Sequence, residues 1–314
     1  MKLVIIEPLG VEQEKLLTMA RDALGDRVDI VYYDTRVTDT AELIKRGRDA
    51  DIIAVSNLPL NAEVIRGCEQ LKLLAVAFTG VDHIAMDACK EKNVVVCNCA
   101  GYSTAAVADL VFGMLITLYR NIIPCDERCR QGGTKDGLIG FELEGKKFGI
   151  VGTGAIGLQV ARIAKAFGCE VLAYSRTVKE VDGITYTDLD TLLSTCDVVS
   201  LHTPLTPETR GLIGKKQLSK MKKSAVLINT ARGPVVDEEA LAEALNSGEI
   251  AGACVDVFDI EPPLDPVKPL LHAKNILVTP HIAFATKEAL VKRAVIVFDN
   301  VAAYLDGKPQ NVVG

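Results

Sequence analysis

The chain has 314 residues, a length that predicts two domains at about 150 residues each. Hydrophobic residues make up 49% of it and charged residues 24%, which is the composition of a folded globular protein and excludes a disordered one. Lysine and arginine number 35 against 41 acidic residues, and the resulting net charge of −6 provides no overall positive field for a phosphate backbone. We therefore expect no nucleic-acid partner.

Export, membrane insertion and metal binding are also disfavoured. No apolar run approaches the roughly 18 residues of a membrane span, and the chain passes from Met1 directly into an apolar segment without the elements of a signal peptide. Nine cysteines are spread along the chain, an odd number that favours a reducing cytoplasm over a disulfide framework. Cys97 with Cys99, and Cys125 with Cys129, have no histidine at ligand spacing, so we expect no metal site.

Short β-branched segments alternate with amphipathic stretches, a pattern that predicts βα units around parallel sheets. The first series of predicted strands covers residues 3–6, 28–32, 51–55, 72–77 and 94–97. A long helix is predicted over 104–129. The second series of strands covers 148–151, 170–174, 198–201, 225–229, 251–255 and 276–278, and a last helix is predicted over 287–305.

The second series is long enough to complete a doubly wound sheet by itself, which leaves the last helix free to return to the first domain. We therefore predict an α/β protein with two Rossmann-like doubly wound parallel sheets. The first domain is predicted to be discontinuous, with residues 1–99 and 285–314, and the second to cover residues 100–284.

The sharpest motif is Gly-Thr-Gly-Ala-Ile-Gly at 152–157, which follows a predicted strand and opens a predicted helix. Gly152 permits a tight turn, Gly154 lets the backbone approach a pyrophosphate at the helix N-terminus, and Gly157 allows close packing of helix on strand. Together with Ala155 and Ile156, these glycines predict a dinucleotide site.

The end of the next strand discriminates between the two nicotinamide cofactors. An NAD site carries an acid there for the ribose 2′-hydroxyl, whereas a 2′-phosphate requires an arginine and no acid. Ser175, Arg176 and Thr177 occupy these positions, so we expect NADP(H), with NAD(H) as the alternative. Under that alternative, Arg176 would be a solvated residue that stacks on adenine.

Three further strand ends carry Arg232, Glu261 and His281. In open α/β sheets the ligand crevice lies outside the carboxyl ends of the strands, where these groups can converge. Arginine can bind a carboxylate in bidentate fashion, histidine can exchange a proton near neutral pH, and glutamate can orient the imidazole. Of the other histidines, we expect His83 at a helix start, His202 packed beside adenine or ribose, and His272 in a solvated linker.

These motifs resemble those of the D-isomer-specific 2-hydroxyacid dehydrogenases over almost the whole chain. The matching segments are residues 78–82, 103–109, 152–157, 197–206, 229–233, 256–262 and 280–283. Asp109 stands where a glutamate is more usual, an exchange of little expected consequence. Ser175 stands where NAD-using members tend to have aspartate, as in glyoxylate and hydroxypyruvate reductases that prefer NADPH.

The resemblance implies a flavodoxin-like substrate domain, an NAD(P)-binding domain and an active site between them. His281, paired with Glu261, would protonate the carbonyl oxygen of a small 2-keto acid, and Arg232 would hold its carboxylate. Asn57 and the backbone amides of Thr79, Gly80 and Val81 would also bind substrate, with Arg232 and His281. The implied cofactor contacts are Thr104, Gly152, Gly154, Ala155, Ile156, Gly157, Ser175, Arg176, Thr177, His202, Thr203, Pro204, Thr209, Thr230, Ala231, Arg232, Asp256 and His281, with Asp256 and Thr104 on the nicotinamide carboxamide.

The resemblance also implies a homodimer formed through the long predicted helix, whose apolar residues include Leu110, Val111, Leu115 and Leu118. Two alternatives stay open. One is a phosphoglycerate dehydrogenase-like enzyme, and the other is a dinucleotide-sensing binding protein similar to the C-terminal-binding corepressors.

Overall fold

A computed structural model describes residues 1–260 and 264–313. The chain forms two compact units, Met1–Ser103 with Ala285–Gly314, and Thr104–Phe284. We call them the first and the second unit. The first crossing between them lies at residues 103–104, a few residues after the predicted boundary.

The first unit has a five-stranded parallel sheet in the order β2-β1-β3-β4-β5. The central strand β3 and its neighbour β4 are buried along their whole length, as expected for a sheet covered on both faces. The strands are β1 (Lys2–Ile5), β2 (Asp29–Tyr32), β3 (Ile52–Val55), β4 (Leu73–Val76) and β5 (Val95–Cys97). The helices are α1 (Gln13–Leu24), α2 (Thr40–Gly47), α3 (Ala62–Gly67), α4 (Met86–Glu91) and the returning α11 (Lys287–Leu305).

The second unit has a seven-stranded parallel sheet in the order β12-β11-β10-β9-β6-β7-β8. Its strands are β6 (Lys147–Val151), β7 (Glu170–Tyr174), β8 (Ile184–Tyr186), β9 (Val198–Leu201), β10 (Val226–Asn229), β11 (Gly252–Val255) and β12 (Ile276–Val278). Its helices are α5 (Thr104–Tyr119), α6 (Ile122–Arg130), α7 (Ala155–Ala166), α8 (Leu189–Thr195), α9 (Lys215–Leu218) and α10 (Glu238–Ser247). The predicted fold class, two doubly wound parallel sheets, is confirmed.

Two details of the predicted elements are wrong. The second sheet has a seventh strand, β8, a three-residue strand at the sheet edge that is too short to show a hydrophobic pattern. The predicted helix over 104–129 is two helices bent by 56°, because Asn121 adopts a left-handed conformation at φ 51°. At the bend, Asn121 Nδ2 donates to the carbonyls of Leu138 and Ile139, each at 3.4 Å.

The apolar surface expected on the long helix is also largely buried. Val111 and Leu115 have no exposed surface and pack in the core of the second unit, against strands of its own sheet. Within the described residues, no single helix is long and apolar enough to cross a membrane, and α5 and α6 reach that length and composition only as a bent pair.

Candidate active site

The glycine-rich loop follows β6 at the point where the order of the second sheet reverses, the place where doubly wound folds bind ligands. Gly152 adopts φ 101°, and a Cβ on it would lie 2.8 Å from the carbonyl oxygen of His202. A Cβ on Gly157 would lie 2.0 Å from the carbonyl oxygen of Gly152. A Cβ on Gly154 would enter open space at the N-terminus of α7. Gly152 and Gly157 thus shape the turn, and Gly154 leaves room for a phosphate to approach the backbone.

Three buried threonine hydroxyls lie in this loop or follow the neighbouring strands at the same edge of the sheet. The Oγ1 atoms of Thr153, Thr203 and Thr230 have no hydrogen-bond partner among the described residues. They follow β6, β9 and β10, three adjacent strands of the sheet. Because a buried hydroxyl without a partner is costly, three of them at the ends of adjacent strands indicate a polar ligand. The residues present therefore fit a dinucleotide.

The end of β7 carries the residues expected to select the cofactor. Ser175 is half-buried, and Arg176 and Thr177 are exposed. Lys179, which the sequence reasoning did not single out, donates from Nζ to the carbonyl of Thr153 in the glycine-rich loop at 3.1 Å. Two cations, Arg176 and Lys179, therefore belong to the segment that leaves β7.

Beyond β9, the predicted cofactor residues organise their own loop. His202 Nε2 lies 2.9 Å from Ser200 Oγ, and desolvation lowers the pKa of His202 to about 3, so its imidazole is neutral at pH 7. Thr209 Oγ1 donates to the carbonyl of Pro204 at 2.7 Å and accepts from the amide of Thr206 at 2.8 Å. The Thr209 hydroxyl is therefore already engaged within its loop.

The loop after β10 holds Arg232. Asn229, the last residue of the strand, donates from Nδ2 to the carbonyl of Arg232 at 3.0 Å and accepts from the amide of Ala231 at 3.1 Å. Arg232 Nη1 also donates to the carbonyl of Ala231 at 2.8 Å. A Cβ on the following Gly233 would lie 1.9 Å from the carbonyl carbon of Phe258, so this loop can close only with glycine there.

Asp256, directly after β11, fixes the loop that carries His281. Its fully buried carboxylate accepts hydrogen bonds from Thr279 Oγ1 at 2.5 Å and from the amides of Ile282 and Ala283, each at 2.9 Å. Its carbonyl accepts from the amide of His281 at 2.7 Å. These bonds hold His281 at φ 53°, a left-handed conformation that is uncommon outside glycine.

Glu261, expected to pair with His281, lies outside the described residues. Asp259 and Lys268, which lie before and after it in the chain, both bind Glu238, the first residue of α10. Lys268 Nζ lies 2.5 Å from a carboxylate oxygen of Glu238 and also contacts Asp259. The amide of Asp259 donates to the other carboxylate oxygen of Glu238 at 2.6 Å.

In the first unit, the predicted substrate residues follow two adjacent strands, Asn57 after β3 and Thr79, Gly80 and Val81 after β4. Asn98 Nδ2 donates to the carbonyl of Thr79 at 2.8 Å. Thr104 is the first residue of α5, the helix that packs against β11 and β12 in the second unit.

The structure thus brings most of the predicted residues of the second unit to one edge of its sheet. Arg232, Asp256 and His281 follow the neighbouring strands β10, β11 and β12, and the glycine-rich loop follows β6 at the same edge. Sequence reasoning gave no role to Lys179 or Asn229. The position of Asn229 at a strand end was a usable signal, but the reach of Lys179 to Thr153 depends on the fold.

Comparison with known proteins relates the chain to named families. Residues 112–283 match the model of the D-isomer specific 2-hydroxyacid dehydrogenase, NAD binding domain. A hydroxypyruvate reductase of Blautia hydrogenotrophica is 36% identical over 100% of this chain and 99% of that protein. A D-3-phosphoglycerate dehydrogenase of Methanocaldococcus jannaschii is 37% identical over 99% of this chain but only 59% of the relative. A solved acyclic imino acid reductase in complex with NADPH and D-Arg covers both chains fully with a TM-score of 0.90 at 32% identity.

Proposed function

The chain belongs to the D-isomer-specific 2-hydroxyacid dehydrogenases, enzymes that act on CH–OH groups with NAD(P), and we propose that it reduces a small 2-keto acid of the glyoxylate or hydroxypyruvate type. The observation that carries the proposal is the placement of Arg232 and His281 at the same sheet edge as the glycine-rich loop. A carboxylate-binding group and a proton donor then lie at the same sheet edge as a dinucleotide site, and keto-acid reduction requires these three groups.

In the proposed mechanism, Arg232 binds the substrate carboxylate and polarises the neighbouring keto oxygen. A reduced nicotinamide cofactor held by the glycine-rich loop would be the source of the hydride for the keto carbon. His281 donates the proton to the keto oxygen, which completes the hydroxyl, and the reverse reaction returns that proton to the imidazole. Glu261 would pair with His281, and the amides of Thr79, Gly80 and Val81 would receive the carboxylate.

We propose NADPH as the preferred cofactor. Ser175 places a hydroxyl where an acid would repel a 2′-phosphate, and Arg176 and Lys179 add two positive charges to the same segment. Thr203, Thr230 and the glycine-rich loop would contact the dinucleotide with the other predicted cofactor residues, and Asp256 and Thr104 would orient the carboxamide.

The direct test is absorbance of the reduced cofactor, with NADPH and NADH each assayed against glyoxylate, hydroxypyruvate, pyruvate and bulkier 2-keto acids. We expect turnover of glyoxylate and hydroxypyruvate with NADPH. The same assay with phosphohydroxypyruvate tests the second candidate function, a phosphoglycerate dehydrogenase. The similarity to such an enzyme favours this candidate. No turnover with any pair would contradict the proposed function and favour a dinucleotide-sensing role.

We further propose a homodimer and a cytoplasmic location. The surface that supports a dimer is the bend between α5 and α6, where Ile122, Ile123, Ile139 and Phe141 are exposed, the last two by 87% and 62%. All nine cysteines are free, which fits a reducing compartment. A monomer in analytical ultracentrifugation at micromolar concentration would contradict the dimer.

A further inference from the structure

An ionic network around the buried carboxylate of Glu7 contacts one of the proposed substrate residues, Asn57 in the first unit. Glu7 follows β1 and is 1% exposed. It accepts hydrogen bonds from backbone amides of the loop that follows the neighbouring strand β3. One carboxylate oxygen of Glu7 accepts from the amides of Ser56 and Leu58, each at 2.9 Å. The two residues that flank Asn57 are therefore held by a single buried carboxylate.

The other carboxylate oxygen of Glu7 binds Arg36, which extends the network to the side chain of Asn57. Arg36 Nη1 lies 2.7 Å from Glu7 Oε2 and 2.6 Å from Asn57 Oδ1, and its Nη2 donates to the carbonyl of Asn57 at 3.3 Å. Burial raises the pKa of Glu7, and the charge of Arg36 is the largest of the effects that oppose this rise.

The segments that carry Glu7 and Arg36 are themselves fixed by a second arginine. Arg46, in α2, is 6% exposed and donates from Nη1 to the carbonyls of Ile6 and Thr35, at 3.1 and 2.7 Å. These are the residues that precede Glu7 and Arg36. The loop of Asn57 is also held from its other side, because His83 Nε2 donates to the carbonyl of Ser56 at 2.9 Å.

This network determines the orientation of the Asn57 amide. A guanidinium only donates hydrogen bonds, so the atom that faces Arg36 must be the amide oxygen. The amide nitrogen then points away from Arg36, and it makes no hydrogen bond to residues 1–260 or 264–313. Asn57 is half-buried, and its NH₂ group is ready to donate to an oxygen of a ligand.

We propose that Glu7 and Arg36 are positioning residues that orient the Asn57 amide to donate a hydrogen bond to an oxygen of the substrate. The inference rests on the proposed function and adds to it two residues to which nothing else assigns a role. Glu7 fixes the backbone on both sides of Asn57, and Arg36 fixes the rotation of its amide. Both act through Asn57 and neither takes part in hydride or proton transfer.

The test is a double-mutant cycle of Arg36→Lys and Asn57→Ala, read as KM for glyoxylate or hydroxypyruvate and as kcat. Lysine keeps the charge that Glu7 requires, so the variant is expected to fold, but one ammonium cannot reproduce the fork that contacts both oxygens of Asn57. We expect Arg36→Lys and Asn57→Ala each to raise KM by about 3–10-fold with little change in kcat. The double variant should be no worse than Asn57→Ala alone.

A purely structural role for Arg36 would give a different pattern. The two effects would then multiply in the double variant, and kcat and the Kd of NADPH would change as well; either result overturns the inference. An unchanged KM in Arg36→Lys or in Asn57→Ala also overturns it. The matched control is Arg66→Lys, an exposed arginine of the same unit whose ion pair with Glu91 lies on the surface, and it should leave both constants unchanged.

The unmodified enzyme separates this inference from the function on which it rests. If the wild type shows turnover but the effects of Arg36→Lys and Asn57→Ala multiply in the double variant, only the positioning roles of Glu7 and Arg36 are overturned. Absence of turnover by the wild type with every 2-keto acid and both cofactors would remove the proposed function and this inference together.

Discussion

Each unit contains a buried carboxylate that organises the loop after a neighbouring strand. In the first unit Glu7 follows β1 and accepts the amides of Ser56 and Leu58, beyond β3. In the second unit Asp256 follows β11 and accepts the amides of Ile282 and Ala283, beyond β12. In both cases the two bonds fix a proposed site residue, Asn57 or His281.

The two carboxylates differ in their third partner. Glu7 pairs with the guanidinium of Arg36, whereas Asp256 accepts from the neutral hydroxyl of Thr279. Burial raises the pKa of both carboxyls, and the charge of His281 is among the weaker effects that oppose the rise at Asp256. Glu7 thus has the cation Arg36 as a hydrogen-bond partner, whereas Asp256 accepts from a hydroxyl and two backbone amides.

The largest expected effect comes from His281 itself. His281→Ala should lower kcat by about 10²–10⁴-fold, because it removes the proposed proton donor, with a far smaller effect on the Kd of NADPH. Stopped-flow or steady-state absorbance gives kcat, and fluorescence titration gives Kd. His272→Ala is the matched control, since His272 is exposed and its one hydrogen bond within the described residues is to the carbonyl of Pro266. Full activity in His281→Ala would refute the proton-transfer assignment.

The next effect is on stability. Asp256→Ala leaves three donors without their acceptor, and at about 1 kcal/mol or more for each we expect a loss of about 3 kcal/mol in the free energy of unfolding. Urea unfolding followed by circular dichroism measures it. Asp87→Ala, in the first turn of α4, is the control and should cost less than about 1 kcal/mol. A loss at Asp256 no larger than that of the control would show that its hydrogen bonds do not hold the His281 loop.

A smaller effect concerns the cofactor. Ser175→Asp should move the preference from NADPH toward NADH by about tenfold or more, because a carboxylate repels a 2′-phosphate and accepts from a 2′-hydroxyl. The ratio of kcat/KM for the two cofactors is the measurement. Ser194→Asp, on the exposed face of α8, is the matched control and should leave that ratio unchanged. An unaltered ratio in Ser175→Asp would remove Ser175 from cofactor selection.

The smallest effect is the pH dependence of stability. A carboxyl whose pKa is raised in the folded protein stabilises the fold below its unfolded pKa, and that contribution is lost as the pH rises through the folded pKa. The stability of the wild type relative to Asp256→Asn, and relative to Glu7→Gln, should therefore fall between pH ~4, near the unfolded pKa, and pH ~8. Urea midpoints at the two pH values measure the change. A rise with pH would mean that the attractive partners outweigh burial.

Much of the architecture could be predicted because its signals are local. The alternation of apolar strands and amphipathic helices predicts both doubly wound sheets, and the family predicted from the motifs is confirmed. The placement of Arg232 and His281 at strand ends is visible in the sequence, whereas their catalytic roles stay predictions. The errors arise where a contact from elsewhere in the chain changes a local preference. Asn121 breaks the long helix where the segment around Ile139 packs against it, and β8 forms by pairing with β7.

By itself the sequence determined the fold class, the glycine-rich turn and the chemical identity of the groups at each strand end, because each depends on residues that are near neighbours in the chain. The tertiary structure alone decided which buried carboxylate holds which loop. Glu7 meets Arg36 across 29 residues and Ser56 across 49, and Asp256 reaches Ala283 across 27. Such bonds depend on the order of the strands in the sheet and on the exclusion of water around a charge, and neither leaves a periodic pattern in the sequence.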